Sequence, residues 1–170
     1  MARPRILIAG VGNIFLGDDG FGSEVAQRLA RRALPDEARV IDFGVRGFDL
    51  AYALLEGYDV TILIDAMPRG GAPGTLYTIE PDLNELNDMA APPEAHALDP
   101  LRVLALAKSM GGEFKRLLLL GCEPLTFGPE EGQMGLSEPV MAAADEALKM
   151  IESLVAEILE GRRHAALQPS

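Results

Sequence analysis

A few residues in this 170-residue chain could do chemistry by type and spacing. Asp18 and Asp19 lie between Gly17 and Gly20, Asp65 follows an apolar run, and His96 stands ahead of an Asp-Pro pair. Two carboxylates and one imidazole suit a first-row divalent ion with open coordination positions. Cys122 offers a different chemistry, a thiol nucleophile needing a base such as His96. Asp18 and Asp19 could also simply cap the helix that follows them, as Asp does well. Asp65 could be a turn former before Ala66-Met67-Pro68, and His96 an exposed loop residue without a role.

The surrounding stretch excludes the commoner loop motifs. Gly10 and Gly12 open a G-x-G-x-x-G pattern, but Phe15 stands where its third glycine belongs. No G-K-[ST] follows, so the loop is not a P-loop. Paired carboxylates repel a phosphate and attract a metal or another positive group.

Strands and helices must position these residues. The apolar runs of residues 5–9, 38–42, 60–64, 75–79 and 116–120 read as strands, alternating with helical patterns over 21–33, 48–55, 100–110 and 138–160. That alternation predicts an α/β sheet with helices on both faces. Val60–Ile64 is a continuous apolar run, as in a strand buried on both faces. Asp65 then sits at a strand's carboxyl end, where ligands bind in open α/β sheets. The link from the third strand to the fourth is shorter than the dozen or so residues of a parallel crossover, so strand four is expected antiparallel. Ser137 is expected to cap the last helix, whose buried stripe is Val140, Ala144, Leu148, Ile151, Val155 and Ile158. Residues 1–160 form one domain and 161–170 a flexible tail, with His164 inert in it.

Composition narrows the partners. The net charge is −11 and no basic stripe could neutralise phosphates, so nucleic acid is excluded. No run reaches the roughly 18 apolar residues of a membrane helix, and no export signal is read. A single cysteine permits no internal disulfide, which fits a reducing cytoplasm. A monomer is expected.

The motif G-V-G-N-I-F-L-G-D-D-G-F-G, Gly10 to Gly22, resembles the N-terminal signature of the hydrogenase maturation proteases. The likeness continues through D-F-G-V-R-G at Asp42, L-I-D-A at Leu63, P-G-T-L at Pro73, L-L-L-L-G-C-E-P at Leu117 and G-L-S-E-P-V at Gly135. The resemblance implies a three-layer α/β/α sandwich, phosphorylase/hydrolase-like, with a five-stranded mixed sheet in the order 2-1-3-5-4 and strand four antiparallel. It implies an endopeptidase that trims the C-terminal extension from the nickel-loaded large-subunit precursor of a [NiFe] hydrogenase. It assigns metal binding to Asp19, Asp65 and His96. The metal is then the nickel of the substrate, and no organic cofactor is implied. Val45 stands where the family usually has Thr. Two other functions remain open: a cysteine peptidase of pyroglutamyl-peptidase type using Cys122 and His96, and a non-catalytic nickel-binding maturation factor.

Overall fold

A computed structural model describes residues 3–83, 100–113, 115–161 and 168–169. Its strands are β1 (Ile6–Val11), β2 (Ala38–Gly44), β3 (Val60–Ala66), β4 (Leu76–Glu80), β5 (Leu117–Cys122) and β6 (Gln168–Pro169). The helices are α1 (Phe21–Leu29), α2 (Gly47–Leu54), α3 (Pro100–Ser109) and α4 (Glu138–Leu159). The sheet order is β2-β1-β3-β5-β4-β6. β1, β2, β3 and β5 run parallel, and β4 is antiparallel to β5, as the short link predicts. One strand exceeds the five expected: Gln168–Pro169 lies parallel to β4 at the sheet edge.

Period-two alternation splits the apolar runs between two cores. Ile6, Ile8, Ile62, Ile64, Leu118 and Leu120 pack with α1 and α4 on one face. Leu7, Ala9, Val11, Leu63 and Leu117 pack with α2 and α3 on the other. Burial on both faces is why these strands read as continuous rather than alternating sequence. The six α4 stripe residues are all buried. Burying a large aliphatic side chain contributes about 1.5–3 kcal/mol, so the α4 stripe is a major attachment of the helix to the sheet.

Several boundaries differ from the sequence reading: β1, β2 and β3 each run two residues further, to Val11, Gly44 and Ala66, and two other shifts have a plain physical reason or consequence. α1 ends at Leu29 rather than Ala33. Beyond it Ala30 is exposed, and residues 31–33 are exposed too, so nothing apolar holds another turn against the sheet. β5 extends through Gly121 and Cys122, which pair with Asp65 and Ala66 of β3. Because β1, β2, β3 and β5 are parallel, their carboxyl ends and the loops after them share one edge of the sheet.

Candidate active site

The loop after β1 carries the first acids. Gly12 has φ +136, and a Cβ there would lie 1.9 Å from the Asp19 carbonyl oxygen and 3.7 Å from Asp65 Oδ1. Only glycine fits so close a backbone approach. Gly12 therefore has the Asp19 backbone on one side and the Asp65 carboxylate close by. Asp19 Oδ2 accepts the Asn13 N–H at 2.9 Å, which turns the loop back on itself. Asp19 and Asp65 are each partly exposed at this edge. His96 lies outside the described residues, and among the described residues no three His, Cys, Asp or Glu side chains form a metal-binding group.

Asp18 and Asp19 have opposite fates. Both sit in a single 3-10 turn, Gly17–Gly20. With three residues per turn, consecutive side chains diverge by about 120°. Asp19 is partly exposed, whereas Asp18 has no exposed surface. Neither acid caps α1, whose N-cap is Gly20 without a side-chain bond. Asp18 instead accepts N–H bonds from Leu125 (2.8 Å), Thr126 (3.2 Å) and Ser137 (2.7 Å), and the Ser137 hydroxyl at 2.8 Å. Ser137 is the N-cap residue of α4, but its hydroxyl is turned to Asp18 and makes no bond to its own helix. The negative charge of Asp18 thus stands at the N-terminus of α4, where the helix dipole favours it by about 0.3–1 kcal/mol or more. The adjacency of two acids in the sequence concealed this division, since the donors lie more than a hundred residues away.

Beside Gly12 opens a groove of about 370 Å³ lined by the loop after β1, the first turn of α1, the end of β2 and the loop after it, including Asn13, Ile14, Phe15, Ser23, Asp42 and Val45. Phe15 and Val45 are more than half exposed, so the rim is apolar. Asp42 Oδ1 accepts the Gly44 N–H and Oδ2 accepts Gln27 Nε2, both at 3.0 Å. The Ser23 hydroxyl is fully buried without a hydrogen-bond partner. Arg46 is turned onto its own chain, with Nη2 donating to the Asp42 carbonyl and Nη1 to Asp49.

Glu123, for which sequence reasoning found no role, fixes the loop after Asp65. It is 4% exposed and accepts the N–H groups of Arg69 and Gly71 and the Tyr77 hydroxyl, each at 2.8 Å. Burial pushes its carboxyl up, but these bonds outweigh burial and hold it below its ordinary value. Tyr77, donating to that carboxylate, is raised. Cys122 next to it has no exposed surface. Burial first, then the charges of Asp18 and Glu123, push its thiol up to about 12.

The sequence profile described as hydrogenase maturation protease matches residues 23–154. The chain belongs to the hydrogenase maturation protease family. The hydrogenase maturating endopeptidase HybD from Escherichia coli superposes with a TM-score of 0.75 at 30% identity, covering 90% of this chain and 93% of that one. The [NiFe] hydrogenase maturation protease HycI from Thermococcus kodakarensis gives 0.67 at 26% identity, with 94% of each chain covered. The hydrogenase expression/formation protein HoxM of Azotobacter vinelandii is 35% identical over 158 residues, 92% of this chain and 75% of that protein. The chain is accordingly an endopeptidase, a hydrolase of hydrogenase maturation. The matched span begins after Asp19 and includes Asp65 and His96.

Proposed function

We propose that this endopeptidase removes the C-terminal extension of the nickel-loaded large-subunit precursor of a [NiFe] hydrogenase, and that Asp19, Asp65 and His96 recognise the nickel seated in that substrate. The observation that carries the reading is the Gly12 approach, which keeps the Asp19 backbone and the Asp65 carboxylate at one strand edge. Carboxylate oxygens and an imidazole nitrogen are apt ligands for a divalent ion that still has open positions. A metal so placed can polarise a carbonyl or activate water. The residues of the chain hold the substrate's metal at the edge, while the apolar-rimmed groove beside Gly12 accommodates the polypeptide next to it. The metal arrives with the substrate, the partner is the precursor itself, and the protein works as a cytoplasmic monomer without organic cofactor. Among the described residues no helix is long and apolar enough to cross a membrane.

The thiol alternative finds no support at Cys122, because a thiolate is negligible near neutral pH in a thiol raised this far. The test is incubation of nickel-loaded and nickel-free precursor with wild-type protein and with Asp19→Asn, Asp65→Asn and His96→Ala. Wild type should release the C-terminal peptide from the loaded form, and each variant should lose at least about tenfold in rate. Normal cleavage by all three variants would end the metal-recognition reading. Binding without any cleavage by wild type would favour the non-catalytic factor.

A further inference from the structure

We infer that Asp18 is the positioning residue of Asp19, and that its buried carboxylate clamps the 3-10 turn so that Asp19 is displayed to the substrate's nickel. The inference rests on the reading of Asp19 given above. Among the described residues, every bond Asp18 accepts comes from the segment between β5 and α4: the Leu125, Thr126 and Ser137 N–H groups and the Ser137 hydroxyl. The backbone repeats the attachment. Asp18 N–H donates to the Thr126 carbonyl at 3.0 Å, Gly17 N–H to the Gln133 carbonyl at 2.7 Å, and Gln133 N–H to the Phe15 carbonyl at 2.8 Å. The turn is therefore held from outside by a distant segment, whereas the Asp19 carboxylate accepts a bond from within its own loop, from the Asn13 N–H.

Three of the four groups bonded to Asp18 are backbone N–H donors, which cannot accept, so both oxygens of the buried group must be acceptors. A carboxylate meets that need with two oxygens and roughly four lone-pair sites. Asparagine keeps the shape but turns an NH2 group toward donors, leaving buried N–H groups unpaired. The turn would then release Asp19, although the two cores of the sheet lie elsewhere and stay packed.

The test compares Asp18→Asn, Ser137→Ala, Asp19→Asn and the Asp18→Asn/Asp19→Asn double variant. Three quantities are measured: kcat/KM on nickel-loaded precursor, the ratio of affinities for loaded and nickel-free precursor, and hydrogen exchange at the Asn13 amide. Asp18→Asn should lower kcat/KM by about tenfold, bring the affinity ratio toward one and speed Asn13 exchange, with an unchanged far-UV spectrum. In the Asp19→Asn background it should add nothing, because Asp18 acts through Asp19. Effects that multiply, or an Asp18→Asn protein with normal ratio and normal Asn13 exchange, would overturn the inference. If Asp18→Asn does not fold, Ser137→Ala decides: about a threefold loss with faster Asn13 exchange is expected, and no change in either overturns the clamp. Should wild type leave the loaded precursor uncut, the functional reading fails, and Asn13 exchange alone still tests the positioning.

Discussion

Cys122 and Glu123 are neighbours in the chain and both are buried, yet their surroundings give them opposite characters. Glu123 is met by three donors and stays charged. Cys122 has only a long contact of 3.7 Å to the Glu123 carbonyl, and two negative charges stand near it. Its thiol therefore remains protonated, since the thiolate is a form that burial and like charge both oppose. A Cys122→Ser protein should process precursor at close to the wild-type rate, and iodoacetamide at about pH 8 should leave wild type active, because the thiolate is the reacting species. Loss of processing in a folded variant would restore the thiol mechanism.

At the level of elements, the decisive contact is between α1 and the sheet. A Cβ on Gly22, in the first turn of α1, would lie 2.1 Å from the Ile64 carbonyl oxygen and 2.3 Å from that of Val11. The helix start thus rests on the backbones of β1 and β3, directly behind the acids. This closeness is why the first motif ends in glycine and why the helix follows the 3-10 turn so abruptly. Gly22→Ala must push α1 off the sheet, an overpacking that costs about 1–3 kcal/mol. For a chain of this size that corresponds to a fall in Tm of about 2–12 °C. Thermal denaturation should show this fall together with reduced processing, because the displaced helix drags the Asp19 turn with it. An unchanged Tm would mean that the approach relaxes without strain.

For the whole molecule, two carboxyls held low by hydrogen bonds, one buried and one partly exposed, tie stability to pH. Glu123 is held below its ordinary value of 4.5 in the fold. Asp59 is likewise lowered from 3.8, chiefly by the Arg5 N–H at 2.8 Å. A depressed carboxyl contributes stability above its unfolded pKa, and that contribution disappears as pH falls through the folded value. The protein should therefore lose stability progressively below about pH 4.5. Glu123→Gln lacks this contribution at every pH. In urea titrations wild type should exceed the variant most near pH 7, and the gap should narrow near pH 3.5. A gap of constant size would show that Glu123 acts by shape alone. The acidic net charge of −11 changes none of this ordering, since the lowered groups are set by local donors.

The apolar runs, their glycine-bounded ends and the length of the link after β3 determined the layers and the antiparallel β4, while the strand order came from the family likeness. These are local signals, because burial on two faces writes itself into consecutive residues. Asp65 at a strand tip and the carboxylates between glycines were legible for the same reason. The family likeness singled out Asp19, but the tertiary structure alone decided that its neighbour Asp18 is buried and what holds it there. Asp18 and Asp19 are identical in type and share a turn, and only donors contributed from Leu125, Thr126 and Ser137 separate them. It also decided that the Ser137 hydroxyl serves Asp18 rather than α4, that β5 runs on through Cys122, and that Glu123 anchors the loop after Asp65. Each of these depends on hydrogen bonds between distant segments, whose partners no local pattern of residues specifies.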